Sequence, residues 1–159
     1  MISYHTLSDD AKVWIYQSSR RFTETETEAI RNKVKAFTDQ WASHSRQLQA
    51  YGEVFHNQFI VFIVDETQAN ASGCSIDSSV HFLKNLEQEY DLDLFNRMKF
   101  SYLDNDQVHT VDRAGFKAAF QAGKITPETM VFDNLVNNKF NFQHHWVKPI
   151  KASWHERML

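Results

Sequence analysis

The chain has 159 residues, of which 42% are hydrophobic and 14% aromatic, and this is enough apolar material for one packed domain over residues 1–159. The net charge of -3 disfavours nucleic-acid and membrane-surface partners, because both require a basic patch. A single cysteine excludes an intrachain disulfide and the CxxC class of zinc and redox motifs. Without a signal peptide or an apolar run long enough to span a bilayer, we expect a cytoplasmic protein.

The first half of the chain predicts three strands and one helix. Residues 12–17 alternate between two faces, with Val13 and Ile15 on one and Trp14 and Tyr16 on the other, which is typical of a strand. A capping box at residues 25–28 predicts the start of a helix. Residues 48–55 predict a second strand, which a short turn joins to residues 59–64. This third segment is apolar on both faces and therefore predicts a central strand covered on both sides.

The second half continues with a helix, whose apolar stripe ends near Tyr90, and with strands at residues 98–103 and 108–111. The order β-α-β-β-α-β predicts an α+β fold with a ferredoxin-like antiparallel sheet and both helices on one face. A C-terminal extension follows. It contains a short helix capped by Asp112 and closed by Gly123, a strand or helix within residues 126–136, and a docked aromatic tail. We expect this tail, or a second subunit, to cover a sheet face that carries Trp14 and Tyr16.

The SGCSIDSS segment (residues 72–79) joins the central strand to the second helix and is the segment where we expect a site. Uncapped amides at a helix start bind anions, and small residues allow a ligand to approach the backbone. Ser75 or Asp77 could equally cap the helix, which would make the segment an ordinary loop. The candidate ligand-binding residues are Ser72, Gly73, Ser75, Ser78 and Ser79.

The candidate catalytic residues are Cys74, Asp77 and His81. A helix start favours the thiolate of Cys74, although a free cysteine is more often a buried packing residue. Its base would come from His44, His56 or His109, because His81 lies about 9 Å along the helix axis. Asp77 and His81 share one helix face, where they could orient an imidazole or supply two metal ligands with Asp65 as a third, but an ordinary structural pair is favoured.

Several motifs are missing from the sequence. It contains no phosphate-binding lysine loop, no dinucleotide fingerprint, no HExxH and no GxSxG. We therefore expect no cofactor and no metal.

Five segments together resemble a family of short bacterial proteins, typical of Bacteroidetes, that has no established function. The segments are Trp14 to Gln17, Trp41 with His44, the SGCSIDSS segment, Val131 to Val136, and Ser153 to His155. Such proteins are often labelled ABC transporter ATPases, but the missing phosphate-binding loop gives this label no support here. The resemblance implies a cytoplasmic single-domain protein and transfers no catalytic residue.

Two functional hypotheses follow. The first is a non-enzymatic binding or interaction protein that forms a homodimer or holds a partner. The second is a small enzyme or anion-binding protein that acts on a small molecule at the SGCSIDSS segment. We favour the first, because no set of acid, base and nucleophile is complete in the sequence.

Overall fold

The computed structural model of the protein describes residues 4–43, 45–66 and 71–159. Its strands are β1 (Lys12–Gln17), β2 (Ala42–Ser43), β3 (Arg46–Gln47), β4 (Gln49–Phe55), β5 (Phe59–Asp65), β6 (Lys99–Asp104), β7 (Gln107–Asp112), β8 (Met130–Phe132) and β9 (Val147–Pro149). Its α-helices are α1 (Glu24–Gln40), α2 (Gly73–Tyr90), α3 (Arg113–Gln121) and α4 (Lys139–His145), and short 3-10 helices cover Tyr4–Thr6, Ile150–Ala152 and Trp154–Met158. The protein is therefore α+β, as the sequence predicts.

The first sheet is antiparallel, with the order β1-β5-β4. Val13 lies opposite Ile63 and Ile15 lies opposite Val61, so the first and third predicted strands are neighbours. Every residue of β5 is buried, which confirms that this strand is covered on both faces.

Helices α1 and α2 cover one face of this sheet through Ile30, Val34, Leu83 and Leu86. Trp14 packs with this cluster, as does Tyr16. The prediction that a C-terminal tail covers the face of Trp14 and Tyr16 was therefore wrong. The C-terminal elements cover the opposite face, where they contribute Phe132, Phe142 and Trp146.

There is a simple reason why the C-terminal elements cover the face opposite to the predicted one. Alternation along a strand tells which side chains share a face but not which face the helices cover. Trp14 meets Trp41, at the end of α1, with ring centroids 6.4 Å apart. The larger rings of β1 thus fill the space beneath the helices, and Val13 and Ile15 pack against the C-terminal elements on the other side.

The second sheet is also antiparallel and has the order β7-β6-β8-β9. It contains β6, the strand that the ferredoxin-like pattern places beside β1. Here β6 pairs along its whole length with β7, and Tyr102 pairs with Val131 of β8. Residues 130–132 are a strand, which settles the choice between strand and helix left open by the sequence.

Two helix starts lie earlier than predicted. Thr23, not Thr25, caps α1 in a capping box with Glu26. The repeating Thr-Glu sequence offers both registers, and two hydrogen bonds from Arg20 to the Glu26 carboxylate favour the earlier one. Ser72, rather than Ser75 or Asp77, caps α2. Asp112 caps α3 as predicted, and Gly123 follows it at φ 75°.

In the described part of the chain, no helix is both long enough and apolar enough to cross a membrane.

Candidate functional site

The start of α2 is closed by its own serines. The Ser72 hydroxyl accepts the Ser75 amide at 3.2 Å, and the Ser75 hydroxyl accepts the Ser72 amide at 2.7 Å. Ser79 donates to the Ile76 carbonyl at 2.6 Å. The two bonds between Ser72 and Ser75 form a capping box, and Ser79 bonds a carbonyl of its own helix, so these three serines serve α2 itself.

The remaining candidates of the SGCSIDSS segment point away from the interior. Gly73, Cys74, Asp77 and Ser78 are exposed, as is His81, whereas Ser75 and Ser79 are buried. In the described part of the chain no three His, Cys, Asp or Glu residues are grouped so that they could hold a metal.

Of the predicted bases, His56 and His109 do not meet Cys74. His56 lies in the turn before β5, whereas Cys74 follows the other end of that strand. His109 stacks on Tyr102 in the second sheet, with ring centroids 5.3 Å apart. His44 lies outside the described residues.

A cavity of about 320 Å³ lies along the outer edge of β1, between the two sheets. We call it the β1-edge cavity. Its walls come from β1, the loop before β6, the start of β6, the segment after β8, and the C-terminal 3-10 helix. Its aromatic lining residues are Trp14, Tyr16, Phe95, Phe100, Phe132 and Trp154. This volume is at the lower end of the range for small-molecule sites.

The cavity exists because the outer edge of β1 is closed only at its ends. The Val13 amide donates to the Asn137 carbonyl at 3.0 Å, which places the polar backbone groups of Val13 on the outer edge. Backbone groups alternate between edges, so those of Ile15 lie on the same edge and those of Trp14 pair with β5. At the other end, the Gln17 side chain donates to the Lys99 carbonyl at 3.1 Å. Ile15 is left between these two closures.

A hydrogen-bonded network forms the floor at the Gln17 end. The Gln17 amide oxygen accepts from Ser101 at 2.7 Å and from Asn134 at 3.0 Å. Asn134 in turn accepts the Trp146 ring N–H at 2.9 Å. These bonds join the first sheet to the second and to α4, so the polar side chains of the floor are satisfied within the protein.

Trp154 and His155 form one wall, with their rings stacked at a centroid distance of 3.8 Å. Trp154 donates its ring N–H to Asp133 at 2.8 Å. His155 is 1% exposed, and this burial lowers its pKa to about 4, so the imidazole is neutral at pH 7.

Ser153, His155 and Asp133 are close together but are not arranged as a catalytic triad. The His155 Nδ1 faces the Ser153 hydroxyl at 2.5 Å, and the same hydroxyl caps the 3-10 helix by accepting the His155 amide. The Asp133 carboxylate is hydrogen-bonded to Lys148, Trp154 and the Leu135 amide. In a triad the acid would orient the imidazole, and here it holds other groups.

Two cations lie at the cavity wall, Arg97 and Lys99. Burial raises the pKa of the Tyr16 hydroxyl, and the positive charge of Arg97 opposes this shift, which places Arg97 near that hydroxyl. The side chain of Arg97 is exposed and that of Lys99 half-buried.

Sequence reasoning did not find this cavity, because its walls come from four distant parts of the chain. One signal was available. Three of the five segments that carry the family resemblance line the cavity, namely those at residues 14–17, 131–136 and 153–155.

Comparison of the chain with protein-family models, with curated proteins and with solved structures gave no match. The resemblance described above therefore stays a prediction.

Proposed function

We propose that this chain is a non-catalytic binding protein that holds a small apolar molecule in the β1-edge cavity. One observation carries the proposal, namely a cavity of about 320 Å³ with six aromatic side chains at a strand edge that the second sheet leaves open. Its floor and its Trp154 wall are already hydrogen-bonded within the protein, which suits binding better than catalysis.

The ferredoxin-like interpretation offers a structural reason for the β1-edge cavity. β1, β4 and β5, with α1 and α2, correspond to the first five elements of the β-α-β-β-α-β unit. In that unit the fourth strand lies beside the first. Here β6 belongs to the second sheet, and the β1-edge cavity lies where the fourth strand would pair.

The alternative, chemistry or anion binding at the SGCSIDSS segment, has less support. Cys74 is exposed, as a reactive thiol requires. None of the described residues that line the β1-edge cavity belongs to this segment, and its Ser72 and Ser75 cap α2. A homodimer and a cytoplasmic location stay predictions.

A variant in which a large side chain fills the cavity tests the proposal. Val136→Trp places a large ring at a half-buried lining position, and Val80→Trp makes the same change at a half-buried position of α2 that does not line the cavity. We expect octanol and naphthol, both small and neutral at pH 7, to change the tryptophan fluorescence of the wild type and of Val80→Trp. Val136→Trp should bind them about tenfold more weakly, a loss of about 1.4 kcal/mol.

Circular dichroism and thermal melting establish that each variant is folded. If Val136→Trp unfolds, Leu135→Trp replaces it, because Leu135 lines the same cavity and is 64% exposed. Equal binding by the blocked variant and the wild type would place the ligand elsewhere and overturn the proposal. The proposal would also be overturned if neither compound bound to the wild type.

A further inference from the structure

The charges around the β1-edge cavity have one sign. The described residues that line it include Arg97 and Lys99 and no aspartate or glutamate. His155 also lines it, but burial keeps that imidazole neutral at pH 7. A chain with a net charge of -3 thus presents a positive rim at this cavity.

These two cations differ from others near the cavity because, among the described residues, no carboxylate lies within ion-pair distance of them. Lys148, which lies behind the Trp154 wall, is paired with Asp133 at 2.8 Å. Lys151 is paired with Glu128 at 3.4 Å. Within the described part of the chain, neither Arg97 nor Lys99 forms an ion pair, so their charges are available to a ligand.

We infer that the ligand of the β1-edge cavity is a small organic carboxylate with an apolar body, an inference that rests on the proposed function. The carboxylate lies at the rim, where the planar guanidinium of Arg97 can donate two parallel hydrogen bonds and Lys99 adds a second charge. The apolar body lies against the aromatic walls. The Ile15 amide on the open edge of β1 is a further donor toward the carboxylate.

The size of the cavity limits the body of this ligand. A volume of 320 Å³ equals that of about ten water molecules in the liquid, at about 30 Å³ each. It therefore suits a molecule of roughly ten to fifteen non-hydrogen atoms. An eight-carbon chain or a bicyclic ring with one carboxylate meets this limit.

Two other occupants fit less well. An extended peptide would need a free strand edge, but Asn137 closes the outer edge of β1 at Val13 and Lys99 closes it at Gln17. A nucleotide would need donors for several phosphate charges, and the lining is mainly aromatic and aliphatic.

A series of probes that share an eight-carbon chain and differ in the head group and its charge tests the inference. Octanoate, octanol and octylamine are titrated into the wild-type protein at pH 7, with tryptophan fluorescence or calorimetry as the readout. We expect octanoate to bind at least about threefold more tightly than octanol, and octylamine to bind most weakly, because two partly exposed cations each contribute a modest attraction. A higher salt concentration should reduce these differences in affinity, because salt screens exposed charges.

Removing each positive charge in turn shows which side chain causes the preference for octanoate. Arg97→Gln and Lys99→Gln should each reduce the preference for octanoate over octanol, and the double variant should abolish it. The affinity for octanol should stay within about twofold in all of them. Lys117→Gln, which removes an exposed cation of α3 outside the cavity, is the matched control and should keep the full preference.

The outcomes separate this inference from the proposed function. Equal binding of all three probes, or a preference that survives the double variant, would overturn the carboxylate assignment and leave the apolar cavity as the binding site. A preference for octylamine would overturn the assignment directly. Failure of every probe to bind the wild type would overturn the proposed function together with the inference.

Discussion

Gln17 is the residue on which the floor of the β1-edge cavity depends. It is 8% exposed, and its side chain bonds Lys99, Ser101 and Asn134. Three polar groups, two on β6 and one after β8, therefore bond one amide. Such a group is costly to remove, because these buried and half-buried partners lose a hydrogen bond with it.

Gln17→Leu should lower the free energy of unfolding by about 1–3 kcal/mol, since the half-buried Lys99 carbonyl and Asn134 side-chain amide lose this partner and the buried Ser101 keeps only Thr110. Gln121→Leu makes the same change at an exposed position of α3. This control should change the free energy of unfolding by less than about 0.5 kcal/mol. Urea unfolding followed by circular dichroism measures both. Equal effects of the two substitutions would show that the Gln17 hydrogen bonds do not hold the sheets together.

His155 should make the stability of the protein depend on pH. Its pKa is lowered to about 4 by burial, with Asp133 opposing this shift and Lys148 adding to it, whereas an unfolded histidine has a pKa of about 6.5. Between these values the unfolded chain binds the additional proton. The stabilisation is therefore complete above pH 6.5 and is lost as pH falls towards 4, by up to about 1.4 kcal/mol per pH unit.

His155→Phe tests this expectation by urea unfolding at several pH values. The variant keeps a ring at this position and removes the titrating group, so its stability should fall less steeply between pH 6.5 and 4. Burial also lowers the pKa of His56, which contributes a slope that both proteins share. Identical pH profiles for the variant and the wild type would exclude His155 as the source.

At the scale of the elements, β4 and α1 approach each other closely at Gly52. A Cβ atom added there would lie 2.6 Å from Cγ1 of Val34 and 2.8 Å from Cγ2 of Thr38. Both distances are too short for carbon atoms in contact. A side chain at position 52 must therefore push the helix away from the sheet.

Gly52→Ala should lower the free energy of unfolding by about 1–3 kcal/mol through this overpacking. Gly73→Ala is its control, because a Cβ atom at the start of α2 meets no other atom within 4 Å. The control should leave the stability unchanged or raise it slightly, as alanine favours helices. Thermal unfolding compares the two variants, and a neutral Gly52→Ala would contradict the close packing of α1 on β4.

The elements also show what the sequence can and cannot predict. β1 and the buried β5 followed from alternation and from an unbroken apolar run, which are local patterns. The separation of β6 from β1 did not, because the side-chain pattern of a strand does not tell which strands lie along its two edges. The short turn at Asn105 and Asp106, both at positive φ, favours the hairpin with β7 over a distant partner.

At the scale of the whole molecule, the two candidate sites differ in how they are built. The SGCSIDSS segment is continuous in sequence, so its small residues were visible as a pattern, and the structure uses its serines to cap α2. The β1-edge cavity is assembled from segments up to about 140 positions apart in the chain, so only folding brings it together. A site of this kind leaves no local motif.

The central claim is that a small molecule binds at the open edge of β1. Amide chemical shifts measured during a titration with octanoate test it most directly. We expect the largest changes at Ile15, Gln17, Leu135 and Trp154, and none at residues 72–79. Changes confined to residues 72–79, with the Ile15 amide unmoved, would contradict the account and favour the start of α2 as the site.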